Sequence, residues 1–179
     1  NLRHVENYKN HPAVFLWSMG NETGHGDGFR AAIKAVHELD ATRPVHWERG
    51  NQDADVDSTM YPTVEWLRSR GQNGKKAFFM CEYAHAMGNA LGNFKEYWDE
   101  FYSYNCLSGG CIWDWIDQAI WKYTDRVDPK TGKRERYFAF GADHDEQPNS
   151  GPFCVNGVID PLRSVMAKLV EVGHVYQNL

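Results

Sequence analysis

The chain has 179 residues, 42% hydrophobic and 24% charged, a balance that fits one soluble globular unit. Its net charge is −5, and its basic clusters stop at Lys75-Lys76 and Lys133-Arg134, which excludes the positive face that a nucleic-acid partner requires. No uninterrupted apolar stretch approaches the about 18 residues of a membrane span, so no membrane association is expected. The opening Asn1-Leu2-Arg3-His4-Val5-Glu6 is polar and lacks both a leader pattern and an initiating Met, so the sequence is expected to start mid-chain or after processing.

Residues 2–10 carry Leu2, Val5 and Tyr8 at helical spacing and read as the end of a helix. Val14 to Met19 is an apolar run too short for a helix, hence a buried strand. Phe29, Ala32, Ile33, Val36 and Leu39 then recur on one helical face, with Asp27 as the expected N-cap. Val45 to Glu48 and Val56 to Tyr61 are strand candidates separated by a loop. Val64 to Arg70 reads as a short helix closed by Gly71, and Lys76 to Cys81 as the next strand. Phe94, Tyr97, Trp98, Phe101 and Tyr102 mark a helix with a core-facing aromatic stripe. Gly109 to Trp115 is the last strand. A polar excursion from about 125 to 151 turns at Pro129-Lys130-Thr131-Gly132, and Val165, Met166, Leu169 and Val170 lie on a closing helix.

Strands alternating with helices imply an α/β fold with a parallel sheet. Five strands are fewer than the eight of a β/α barrel, so the unit is either a smaller open sheet or the back portion of a barrel. Four cysteines without C-x-x-C spacing read as buried free thiols, which favours a reducing compartment.

Two strand ends share one construction. The run before Glu22 leads into Gly20-Asn21-Glu22-Thr23-Gly24-His25-Gly26, and the run before Glu82 into Cys81-Glu82-Tyr83-Ala84-His85-Ala86-Met87-Gly88-Asn89. The C-terminal end of a parallel strand is where barrel enzymes carry their chemistry. Paired carboxylates at such ends suit glycoside hydrolysis, in which one protonates the leaving oxygen and the other attacks carbon or activates water.

These blocks, with Gly109-Gly110-Cys111-Ile112-Trp113-Asp114-Trp115-Ile116-Asp117-Gln118 and Phe153-Cys154-Val155-Asn156-Gly157, resemble the beta-galactosidases of glycoside hydrolase family 2. The match is collinear over nearly the whole chain. Glucuronidases and mannosidases of that family share the Asn-Glu pair but not the Gly-His-Gly continuation or the Tyr-Ala-His-Ala-Met-Gly-Asn run. The resemblance implies a partial (β/α)8 TIM barrel over residues 1–179, from about the fourth strand to the last helix, without the first strands and flanking beta domains.

It also implies the roles. Glu22 matches the acid/base and Glu82 the nucleophile of a retaining mechanism; Asn21 matches the residue on the sugar 2-hydroxyl, and Tyr61 the tyrosine bonded to the nucleophile. His85 matches the contact to galactosyl hydroxyls, Trp113 the aromatic floor, and Asn156 a further substrate contact. Magnesium is implied at Glu22, with its other ligands outside the chain, and sodium at the Phe153 carbonyl and the Asn156 side chain, again incomplete. The implied substrate is a beta-galactoside such as lactose, and the implied full-length enzyme is a homo-oligomer. The isolated chain is expected to be inactive. The alternatives are a non-catalytic barrel fragment that needs a complementary chain, or another family 2 activity such as beta-glucuronidase.

Other clusters are weaker. His25 between glycines is either a ligand or a residue fixing its own turn. His37-Glu38 opens like a zinc-protease motif, but residue 41 is Ala. Asp143-His144-Asp145-Glu146 reads as a solvated acidic loop, and Asn21-Glu22-Thr23 fits a glycosylation sequon only by coincidence. Strand alternation would put Trp113 and Trp115 on one face. The Trp121–Arg136 segment is longer than the family pattern, Gly92-Asn93 replaces a Gly-Gly pair, and Ala142 replaces a glycine; these bear on the leaving-group side.

Overall fold

The computed structural model describes residues 1–89 and 91–177. Its elements are α1 (Leu2–Tyr8), β1 (Trp17–Ser18), α2 (Asp27–Leu39), β2 (Val45–His46), β3 (Asp57–Met60), α3 (Val64–Asn73), β4 (Phe78–Tyr83), α4 (Phe94–Ser103), β5 (Leu107–Ile112), β6 (Ile120–Val127), β7 (Arg134–Ala139) and α5 (Ala167–Tyr176). They fall into two compact units: Asn1–Tyr83 with Lys95–Cys111, and Ala84–Phe94 with Ile112 onward.

In the first unit the strands follow chain order. β1 pairs with β2 in parallel, Trp17 opposite Val45 and Ser18 opposite His46. A parallel bridge from His46 to Val56 leads to β3, β3 pairs in parallel with β4, and β4 neighbours β5. Trp17, Val45 and Trp47 pack with Val5, Ile33, Val36 and Ala54 in one buried cluster, so α2 lays the face predicted by its spacing onto these strands. Each buried aliphatic side chain of this kind contributes about 1.5–3 kcal/mol.

β1 is shorter than the apolar run that announces it. The Val14 amide closes a turn on the His11 carbonyl, and the Val14 carbonyl accepts from Arg43 Nε at 2.7 Å, so neither joins a ladder. Buried Asp40, at the end of α2, ties the same region together. Its carboxylate accepts from Trp17 Nε1 (2.9 Å), from the Thr42 amide and hydroxyl (2.9 and 2.6 Å) and from Arg43 Nη1 (2.7 Å). These donors, led by the Thr42 hydroxyl and then Trp17, hold its pKa well below the usual carboxylate range.

Two helix boundaries differ from expectation. Asp27 is not the N-cap of α2; Gly26 holds that position, and Asp27 sits in the first turn paired with Arg30 at 2.8 Å. α3 runs past Gly71 to Asn73, with Gly74 as its C-cap and Thr63 as its N-cap, accepting from the Trp66 amide at 3.2 Å. Gly71 serves close packing instead, since a Cβ there would lie 2.3 Å from the Tyr104 ring. The α4 aromatics divide: Phe101 is buried, Trp98 donates to the Tyr83 hydroxyl at 2.9 Å, and Tyr102 is exposed.

The largest departure lies in the second unit. Residues 120–139 form an antiparallel hairpin, with Ile120 opposite Ala139 and Trp121 opposite Phe138, rather than an irregular excursion. Both strands are largely exposed and charged residues are interspersed among their aromatic positions, so no apolar run announces them. Trp121 stacks on Phe138 across the pair with centroids 3.9 Å apart, Arg136 covers the Trp121 ring, and Asp128 organises the expected turn through Lys130 and Thr131. α5 begins at Ala167 with Met166 as its N-cap, so Val165 lies before the helix rather than on it; the buried positions of α5 are Lys168 and Val172, while Val165 and Val170 are 71% and 63% exposed. Lys168 donates to the Ala86 carbonyl at 2.6 Å, which explains a buried lysine. The four cysteines are free, but Cys81, Cys106 and Cys154 are half-buried and Cys111 is exposed. No described helix is long and apolar enough to cross a membrane.

His46 sits buried between two serines, Nδ1 at 2.9 Å from Ser18 Oγ and Nε2 at 2.7 Å from Ser58 Oγ. Burial pulls its pKa below the ordinary value, with nearby Glu48 opposing. The unfolded chain therefore takes up this proton first as pH falls. The stability from neutral His46 is present above about pH 6.5 and is lost as pH drops through the folded-state value. Urea midpoints of the polypeptide measured between about pH 7.5 and 5.5 should fall, and more steeply than in His46→Gln. Equal slopes would assign the dependence to other groups.

Candidate active site

Four predicted residues meet within the first unit. Glu82 ends the β4 run, and both its oxygens are held: Oε1 accepts from Asn21 Nδ2 at 2.8 Å, and Oε2 from the Tyr61 hydroxyl at 3.0 Å. Tyr61 follows β3, and its own amide donates to the Glu82 carbonyl at 3.0 Å, so backbone and side chain together register it against β4. Burial, followed by the bond to Glu82, raises the Tyr61 pKa, so the phenol remains a donor. A carboxylate held through both oxygens keeps one orientation, which attack on carbon requires.

Glu22 is exposed and lies one residue from Asn21, so one loop carries both the second glutamate and a ligand of the first. Glu22 and Tyr61 both occupy the left-handed region, with φ of 52° and 48°. For side chains other than glycine this costs about 1–3 kcal/mol and persists only where surroundings enforce it. They do so for three successive residues. Asn21 is bonded to Glu82, the Glu22 amide donates to Glu48 Oε2 at 2.8 Å, and the Thr23 hydroxyl accepts from Trp47 Nε1 at 2.7 Å. A Cβ at Gly20 would lie 2.6 Å from Thr23 Cγ2, so the loop closes tightly there. His25 packs edge-on against Trp47 at 5.7 Å, which favours its turn-fixing reading.

Glu48 was not singled out by sequence reasoning. Its signal was present, since Val45-His46-Trp47-Glu48 is again an apolar run leading into a carboxylate. Beside it, the Cys81 thiol is pushed up to about 11, by burial first and then by the Glu48 and Glu82 charges, so it stays protonated.

The other predicted residues gather within the second unit. His85 packs edge-on against Phe153 at 5.7 Å, and Asn156 Nδ2 donates to the Phe153 carbonyl at 2.7 Å. The Trp113 carbonyl accepts from the Ala86 amide at 2.8 Å, and the Asn156 carbonyl accepts from the Asp114 amide at 2.8 Å, so backbone pairing joins these loops. Trp113 and Trp115 are 39% and 51% exposed. β5 ends at Ile112, so both lie beyond it and strand alternation does not govern their faces.

Glu22 on the loop after β1 and Glu82 near the end of β4 are two carboxylates at parallel strand ends, an arrangement that suits the carbohydrate-cleaving class of barrel site. The chain belongs to the glycosyl hydrolases of family 2: residues 2–179 match that family's TIM barrel domain. It is 38% identical to a beta-galactosidase of Alteromonas mediterranea and 39% identical to one of Klebsiella pneumoniae, over 98% of this chain in each case. It spans 18% of the length of these curated relatives. Among solved structures it is similar to a beta-galacturonidase from Eisenbergiella tayi bound to galacturonate, with a TM-score of 0.61, 17% identity, and coverage of 98% of this chain and 35% of that one. A Ruminococcus gnavus beta-glucuronidase gives a TM-score of 0.57 at 18% identity, covering 98% of this chain and 33% of that one. At these identities the structural likeness is one of fold.

Proposed function

We propose that residues 1–179 are the catalytic-barrel portion, from about the fourth strand to the last helix, of a retaining beta-galactosidase. The carrying observation is the strand-end Glu82 gripped through both oxygens by Tyr61 and Asn21, with Glu22 adjacent to Asn21. Glu82 attacks the anomeric carbon while Glu22 gives its proton to the departing glycosidic oxygen, leaving a galactosyl ester on Glu82. Water then attacks the same carbon, Glu22 takes the water's proton, and the ester bond breaks to restore the Glu82 carboxylate. Asn21 keeps Glu82 aligned and offers its amide to the sugar 2-hydroxyl; for His85, Trp113 and Asn156 the family resemblance implies contacts to galactosyl hydroxyls and ring.

The galactosyl preference rests on relatives at 38–39% identity, against a likeness of fold alone to proteins named for uronides. A uronate would call for a fixed cation, which His85 and Asn156 do not supply. A terminal beta-D-galactosyl group, as in lactose, is the substrate, and the full-length enzyme is a homo-oligomer.

Sodium suits the second unit. Asn156 is fully buried; its Nδ2 donates to the Phe153 carbonyl, and its Oδ1 has no hydrogen-bond partner among the described residues. Such an oxygen costs about 1–3 kcal/mol unpaired, and two hard oxygens fit this ion. When bound, it supplies a positive charge to sugar hydroxyls. Magnesium has less to hold it: Glu22 offers one carboxylate, and among the described residues no three His, Cys, Asp or Glu side chains gather.

In the full-length polypeptide, Glu82→Gln should lower kcat on an aryl beta-galactoside by about 10⁴-fold or more while substrate still binds. Wild-type levels of turnover in a preparation free of wild type would remove the nucleophile assignment. Tyr61→Phe takes one charge-assisted hydrogen bond from Glu82, worth about 1.5–3 kcal/mol, so kcat/KM should fall by about 10- to 100-fold. Steady-state kinetics on the same substrate checks this.

A further inference from the structure

We infer that Glu48 is a positioning residue for the acid/base: its buried carboxylate holds the Glu22 backbone in the left-handed conformation that aims the Glu22 side chain. This rests on the reading of Glu22 given above.

Glu48 stands at the end of the β2 run, only 5% exposed, and no step of the reaction uses it. Its backbone and side chain make a two-point clasp on the catalytic loop. The Glu48 amide donates to the Gly20 carbonyl at 3.1 Å, and Glu48 Oε2 accepts from the Glu22 amide at 2.8 Å. The first bond continues the β1–β2 pairing, after Met19 has donated to His46 at 2.8 Å. The second is charge-assisted and lies where the chain leaves the ladder. The other oxygen, Oε1, faces Arg49 Nε at 3.4 Å, and that arginine is itself more than half exposed. One carboxylate is thus divided between a cation reaching solvent and a backbone amide.

The clasp has a specific task because Glu22 has φ of 52°, a conformation that an ordinary side chain leaves unless held. Its neighbours are pinned through side chains, Asn21 to Glu82 and Thr23 to Trp47, whereas Glu22 must keep its side chain for substrate. Only its amide is left to anchor. Replacing Glu48 by a group without an acceptor lets φ relax and swings the Glu22 carboxyl off the leaving oxygen. Displacement of about 1 Å at such a group costs on the order of 10²-fold in rate.

The test uses kcat/KM, which reports the glycosylation step, in the full-length enzyme with lactose and with 2,4-dinitrophenyl beta-galactoside. Lactose needs its leaving oxygen protonated; dinitrophenolate departs without help. Glu48→Met, of similar volume but without an acceptor, should lose about 10²-fold on lactose and less than about 5-fold on the aryl substrate. Glu48→Gln keeps an amide oxygen for the Glu22 N–H and should stay within about 5-fold of wild type on both. Should Glu48→Met fail to fold, as judged by circular dichroism, Glu48→Asp withdraws the acceptor by one methylene and carries the same comparison. Equal losses on both substrates, or equal behaviour of the Met and Gln variants, overturn the assignment. Glu22→Ala is measured alongside. If it shows the leaving-group split and Glu48→Met does not, the positioning role alone falls; if Glu22→Ala lacks the split, the acid/base reading falls with it.

Discussion

The pairing of β1 with β2 is the contact on which the site depends. It is short, Trp17–Ser18 against Val45–His46, yet the bonds beyond its end carry Gly20 to Glu48 and leave Asn21, Glu22 and Thr23 on a loop with a defined start. The pairing is stabilised from below by the buried Trp17, Val45 and Trp47 cluster and by Asp40, which grips the Trp17 indole and the turn before β2. Apolar burial sets the strand in place, and a charged anchor sets its register. Without that register, Asn21 would not reach Glu82.

A second constraint is that the two glutamates are held differently. Glu82 lies within a strand and has both oxygens occupied, so it is aligned but cannot wander. Glu22 lies on a loop, exposed, with its backbone restrained and its carboxyl open. The difference suits the roles proposed for them: a nucleophile benefits from fixed direction, whereas a group that gives and later takes a proton must face first a leaving oxygen and then a water. Left-handed backbone at Glu22 and Tyr61 is the local cost of presenting side chains from strand ends in these directions.

The legible part of the fold was the part governed by burial. α2 and α4 were readable because a face packed on a core must repeat with the helical period. β4 was readable because a strand covered on both faces is apolar throughout. The β6–β7 hairpin was not, since largely exposed strands with charges among their aromatics carry no apolar run, and Trp121 stacks on Phe138 across the pair. The exposed Val165 and Val170, against buried Lys168, mislead for a similar reason: the lysine is inside because a carbonyl receives it, and hydrophobicity carries no record of that partner.

By itself the sequence determined the strand–helix alternation and the two strand-end glutamates, because short apolar runs ending in carboxylates follow from local composition alone. Collinear blocks added the family. Tertiary structure decided which oxygen of Glu82 faces Asn21 and which faces Tyr61, from positions 61 and 21 residues away, and that Glu48 reaches back 26 residues to the Glu22 amide. Those bonds depend on strand register and on backbone held against its own preference. Neither is a property of a residue or of its near neighbours in the chain, so only the assembled sheet could supply them.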